Sequence, residues 1–200
     1  MKKMIGILLA LCVAAGLTAC NRDGISENEI ASAKLTAEQQ EIVDLLTNDK
    51  QEILLFDYRT KETYNRMEVW VEIYQDGILL DRPAGISTGN DEAYQHKGKL
   101  AIDISQNPDF QWAITIDNTV TRSTHRSTDT PGAAIDPALA RAYGPMTGGA
   151  VIESGKEIVL YSSVFTSGNA TRTIDNLTLE HSPEILKEYE YAHLIKCKFE

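Results

Sequence analysis

The sequence predicts a mainly β protein: an antiparallel two-layer β-sandwich, Ig-like in style, with a short N-terminal helix and a long loop carrying a short helix. Three observations predict it. Apolar and polar residues alternate in short runs through most of residues 52–199, the period of half-buried strands. Eight or nine such runs recur between turn residues, the spacing of a sandwich. Only one solid helix accompanies them, so helices do not alternate with strands and a βαβ sheet is excluded. A barrel is the alternative.

The first element is that helix. Thr36-Ala37-Glu38-Gln39 fits a capping box, in which Thr36 and Gln39 satisfy each other's backbone amides. The helix is expected from Ala37 to about Thr47, with Leu35, Ile42, Leu45 and Leu46 on one face packed against a larger body. Asn48-Asp49 ends it. A strand follows over Glu52–Tyr58. Met67–Tyr74 alternates an aliphatic face with one carrying Glu68, Trp70, Glu72 and Tyr74. Asp76-Gly77 suits a type I′ hairpin turn, and Ile78–Leu80 returns.

Leu100, Ile102 and Ile104, then Phe110, Trp112, Ile114 and Ile116, mark two more half-buried strands. Further strands are expected over Ala150–Glu153, Lys156–Val164, Ile174–Glu180 and Ala192–Phe199. The expected core comprises Val69, Val71, Ile73, Leu100, Ile102, Ile104, Trp112, Ile114 and Ile116. Thr121–Gly149 reads as the long loop, holding three of the six prolines and four of the thirteen glycines. Asp136-Pro137 offers a cap and a Pro at N1, Ala138–Tyr143 are helix formers, and Gly144-Pro145 closes the turn. A second short helix is expected from Ser182-Pro183-Glu184 to about Glu190.

The N-terminus carries an address. Lys2 and Lys3 precede an apolar run, Met4–Leu17, too short to span a bilayer, and Leu17-Thr18-Ala19-Cys20 closes it. Leu-Thr-Ala-Cys resembles the lipobox of bacterial lipoproteins. The resemblance implies a diacylglyceryl group on the Cys20 thiol, cleavage before Cys20, and anchoring at the extracytoplasmic face of the cell membrane. The chain then divides into a signal peptide (1–19), a flexible tether (20–34) and one sandwich domain (35–200). Loss of Lys2 and Lys3 takes the formal charge from −10 to −12. Only Cys197 stays free, so no intrachain disulfide is expected. The acidic balance argues against nucleic acid and against electrostatic adhesion to anionic lipid.

Few motifs carry chemistry. Gly85-Ile86-Ser87-Thr88-Gly89 matches the nucleophile elbow, but no helix follows and no parallel sheet supports it, so it reads as a loop. His96, His125, His181 and His193 lack metal-ligand spacing, and no EF-hand or phosphate loop is present, so no metal and no cofactor are expected. His193 and Cys197 share a strand face with Ile195 and Phe199; His193 reads as a satisfied semi-buried histidine and Cys197 as a small core residue. Trp70 and Tyr74 fit a sugar-stacking platform or simple packing. Arg122, His125 and Arg126 bring positive charge to the long loop, followed by Arg141 and Tyr143. Guanidinium groups beside an aromatic ring grip carboxylates or phosphates, so Arg122, Arg126, Arg141 and Tyr143 are the expected contact residues.

The mature part is similar in style to small uncharacterised lipoproteins of Gram-positive bacteria, with lines such as Phe56-Asp57-Tyr58 and Val69–Gly77 after a short helix. The expected function is a membrane-anchored, non-enzymatic binding or scaffolding module for a protein or cell-wall polymer. The alternative is an envelope hydrolase or other enzyme whose site is assembled from loops.

Overall fold

The structure, a computed structural model, describes residues 25–48, 50–89, 96–106, 110–118, 122–127, 135–136, 138–168 and 174–200. Cys20 and the expected signal segment lie outside the described residues. In chain order the first half holds β1 (Glu29–Ser32), α1 (Ala37–Leu46), β2 (Gln51–Arg59), β3 (Arg66–Gln75), β4 (Ile78–Asp81) and β5 (Gly85–Gly89). The second half holds β6 (Lys97–Gln106), β7 (Phe110–Asn118), β8 (Arg122–Ser127), β9 (Ala140–Pro145), β10 (Gly149–Val151) and β11 (Glu157–Thr166). α2 (Asn176–His181), a 3₁₀-helix (Pro183–Glu188) and β12 (Tyr191–Phe199) complete it.

The strands form two antiparallel sheets. The first runs β10-β1-β2-β6-β7-β8, and the second runs β4-β3-β12-β11-β9, with β5 also pairing β3. Alternation along each strand sends one face of each sheet into a shared core. All nine residues expected there are buried, with Tyr58, Leu160, Ile195 and Phe199 beside them. A second, smaller core lies outside the second sheet. There Ile174, Leu179 and Leu186 cover Val159, Val164, Ala192 and Leu194.

The hairpin turn is as expected: Asp76 and Gly77 take φ of 50° and 75°, the pair of positive values that a type I′ turn requires. The capping box is present too. Thr36 Oγ1 accepts from the Gln39 amide at 3.2 Å, and Gln39 Oε1 accepts from the Thr36 amide at 3.0 Å. The expected packing of this helix is not found. No residue of α1 is buried, and Ile42, Leu45 and Leu46 are 57%, 79% and 64% exposed. Capping is satisfied locally, so it forms a helix without fixing what the helix rests on.

Four further expectations are corrected. Glu29–Ser32, assigned to the tether, is strand β1, pairing β2 on one side and β10 on the other, with Ile30 fully buried. Thr121–Gly149 is not one long loop with a helix, since β8 and β9 both lie inside it. Ala140–Pro145 pairs along β11 from Thr166 to Tyr161, and that ladder overrides the helical propensity of Ala138–Tyr143. As an edge strand β9 tolerates Pro145. Ile174–Glu180 is not a strand. Its end is α2, laid over the second sheet, because a short apolar run suits either period. Gly85–Gly89, read as a loop, is strand β5 on the first half of β3. The 3₁₀-helix starts at Pro183 as expected and stops at Glu188.

Candidate functional site

Core contacts define two ends of the sandwich. At one end the Phe199 ring meets Tyr58 and Tyr64. At the other, His193 meets Phe110 and Trp112. Along β2, Glu52 lies at the His193 end and Arg59 at the Phe199 end, roughly 23 Å apart at strand rise.

A polar cluster is built into the His193 end. Even positions of β2 face the core, so the sheet itself carries the Glu52 carboxylate inward beside Ile104. The second sheet answers with Arg141 from β9. Arg141 Nη2 donates to Glu52 Oε1 at 3.0 Å and to Tyr161 Oη at 2.6 Å, and its Nε donates to Ser163 Oγ at 2.8 Å. The guanidinium also stands over three rings, at 4.0 Å from Tyr143, 5.4 Å from Phe110 and 5.8 Å from Phe165. Burial raises the Glu52 pKa above the usual carboxylate value, although Arg141 pulls against it.

A β-bulge makes this cluster possible. The β11–β12 register shifts between Val159 and Tyr161. Val159 lies opposite Lys196 on the outer face, yet Tyr161 and Ser163 lie opposite Ile195 and His193 on the inner one. The extra residue, Leu160, changes the parity and delivers Tyr161, Ser163 and Phe165 to Arg141.

His193 is fully enclosed, with Phe110, Phe165 and Trp112 ring centroids at 4.6, 5.3 and 5.6 Å. Burial, with help from Arg141, lowers its pKa to about 3. The sequence predicts a satisfied, semi-buried histidine; instead the ring is buried, and its Nδ1 has no hydrogen-bond partner among the described residues. Ser163 faces it across the ladder but is itself fully buried, and its Oγ accepts from Arg141. Cys197 is enclosed as expected, and burial pushes its thiol pKa up.

A second polar cluster lies on the outer face of the second sheet. Glu72 accepts from Trp70 Nε1 at 2.9 Å, Tyr74 Oη at 2.6 Å, Arg82 Nη2 at 2.6 Å and Lys196 Nζ at 2.8 Å. Burial opposes its ionisation, but the hydrogen bonds from Lys196, Tyr74 and Trp70 prevail and hold its pKa at about 2. Burial and the bond to Glu72 push Tyr74 up to about 12. Trp70 and Tyr74 thus turn their polar tips to Glu72, and Tyr74 packs on the second core. That is the packing role, not an open platform.

The Phe199 end carries a cleft of about 830 Å³ on the outer face of the first sheet. Its lining includes Ser26, Glu29, Lys34, Asp57, Arg59, Lys97, Lys99 and Gly149. Lys99 holds Asp57 at 2.6 Å, and Glu29 accepts from the Ser26 amide at 2.6 Å.

The four expected contact residues are not brought together. Arg122 and Arg126 lie on β8, at register positions opposite Asp117 and Ala113, along the sandwich edge that meets β5. Arg141 and Tyr143 lie on β9, the edge of the other sheet. Arg141 is an interior ion-pair residue, 16% exposed, whereas Tyr143 is 47% exposed. Glu52 was missed as a site residue, although its place on the apolar face of β2 was a signal. Arg59 and Lys97 gave none, because only the register makes them neighbours.

Among the described residues no group of three or more His, Cys, Asp or Glu could hold a metal ion, and no helix is long and apolar enough to cross a membrane. The fold and its sites define a β-sandwich domain with an internal ion-pair cluster at one end and a charged open cleft at the other. The chain belongs to the YgaN domain family, whose model matches residues 29–199, from the start of β1 to the end of β12. No curated protein and no solved structure matches it.

Proposed function

We propose that the chain is an extracytoplasmic lipoprotein, anchored by lipid on Cys20, whose domain is a non-enzymatic binding or scaffolding module for a protein or cell-wall polymer. The anchor rests on Lys2, Lys3, the short apolar run and Leu17-Thr18-Ala19-Cys20. The binding reading rests on the exposed apolar side chains at the His193 end. Tyr143 stands exposed on the Arg141 guanidinium, α1 leads into the Glu52 end of β2 with Leu45 uncovered, and β4 exposes Ile78, Leu79 and Leu80 beside Tyr74. Such side chains at one end suit contact with a partner. Several groups an enzyme would use are committed elsewhere among the described residues: His193 and Cys197 are enclosed, Ser163 holds Arg141, and Glu72 has four donors. A hydrolase is therefore the lesser reading.

The test is photo-cross-linking in intact cells, with a photoactivatable side chain at Leu45, at Tyr143, or at exposed Lys61 beyond the other end of β2. The expected result is a discrete adduct from Leu45 or Tyr143 and none from Lys61. No adduct from either, or equal labelling from Lys61, would reject the proposal.

A further inference from the structure

The cleft at the Phe199 end holds a feature that stability alone disfavours. Arg59 and Lys97 are direct cross-strand partners in the β2–β6 ladder. Both occupy the outer face, since Tyr58, next to Arg59, and Leu100, three residues on from Lys97, are core residues, and both are exposed. Like charges placed directly opposite each other on adjacent strands are destabilising. A carboxylate between them would relieve this, and three carboxylates line the cleft, but each is engaged. Asp57 is held by Lys99, and Asp117 has contacts of its own. Glu29, the cross-strand neighbour of Arg59 on β1, turns away. It takes the Ser26 amide and lies where a side chain at residue 149 would sit, a space left open by Gly149. Arg59, Lys97 and Lys34 therefore have no carboxylate partner among the described residues, inside a chain of formal charge −10. The cleft volume of about 830 Å³ is ample for a small ligand group.

The position of the cleft selects the anion. Its lining begins at Ile25 and Ser26, five residues after Cys20. Five residues span at most about 18 Å when fully extended. With β1 fixed in the sheet, the lipid on Cys20 would keep the mouth of the cleft within that distance of the headgroups. The net negative charge of the chain lowers the long-range attraction for a free polyanion. A headgroup beside the anchor is instead presented at the high effective concentration of a tethered ligand, so a modest site fills.

We infer that Arg59 and Lys97 seat the phosphate of an anionic phospholipid headgroup in this cleft, with Lys34 at its rim, and so hold the domain in one orientation on the membrane. This rests on the lipid-anchor reading and goes beyond it. The His193 end, with Tyr143 and α1, then points away from the bilayer toward a partner. The expectation against electrostatic adhesion to anionic lipid rests on the net charge, whereas this contact is made at short range by a local row of positive charges.

The experiment uses the full chain in neutral maltoside detergent, so binding is read whether or not Cys20 has been processed. Dihexanoyl phosphatidylglycerol is titrated by calorimetry, with dihexanoyl phosphatidylcholine and soluble sodium polyphosphate as the other arms. Saturable binding of the glycerol lipid is expected, at least tenfold weaker in Arg59→Ala/Lys97→Ala and weakened by salt. Lys50→Ala, an exposed lysine at the other end of β2, should bind as the wild type does. The melting temperature of the double variant verifies that it is folded. Absence of saturable binding overturns the inference, as does equal affinity for the choline lipid. Undiminished binding by the double variant, or saturation by polyphosphate without the lipid, overturns it as well. Failure here leaves the anchor at Cys20 standing, and failure of the anchor leaves this titration readable.

Discussion

His193 shows how one buried side chain sets a pH dependence for the whole fold. Its folded pKa is about 3, against 6.5 in an unstructured chain. Below pH 6.5 the unfolded chain binds a proton that the folded chain refuses, so stability falls as pH drops from about 6.5 toward 3. Above 6.5 both forms are neutral and the residue contributes nothing. His193→Phe fills the same aromatic enclosure without a titrating group. Urea unfolding should show the variant gaining about 1 kcal/mol on the wild type between pH 6 and pH 5. A constant gap would show that the enclosed imidazole protonates in place. The position of His193 on a core face was legible in the sequence, because it shares the alternation of Ile195, Cys197 and Phe199. Its missing partner was not, because the rings around it come from β7 and from β11.

At the level of elements, α1 separates local from tertiary determinants. The capping box and helix formers make the helix, and nothing among the described residues buries its Ile42, Leu45 or Leu46. Replacing all three with Gln should change the unfolding free energy by no more than about 1.5 kcal/mol, the sum of three exposed substitutions at about 0.5 kcal/mol each. A loss of several kcal/mol on denaturant unfolding would mean that the stripe is packed in solution. The β11 bulge teaches the converse. Alternation from Lys156 to Val164 identifies a strand, but the extra residue at Leu160 decides which side chains after it face inward. A period of two carries no information on where that period slips.

Across the whole molecule, the two ends differ: a charged cleft lies at one, and exposed Tyr143 with the apolar side chains of α1 and β4 at the other. In the orientation we propose, the first faces the membrane and the second a partner. Anchoring is tested most directly at Cys20. Cys20→Ser should leave the chain unlipidated and uncleaved at that position, and shift it out of the detergent phase on partition. Normal processing with unchanged partition in the variant would remove the lipoprotein assignment and with it the orientation proposed here.

Taken by itself, the sequence determined the class of fold, the nine core residues, the capped helix and the Asp-Gly hairpin. Each of these follows from a period or a local hydrogen bond spanning only a few residues. The tertiary structure alone decided that β1 and β9 are strands, that Arg141 pairs with Glu52, and that Arg59 lies opposite Lys97. Those outcomes depend on register and on pairings between segments far apart in the chain, such as Glu29 with Val151. Such pairings satisfy backbone groups that a short helix would leave mostly unpaired at its two ends, and for that reason they override the propensities that made Ala138–Tyr143 read as a helix.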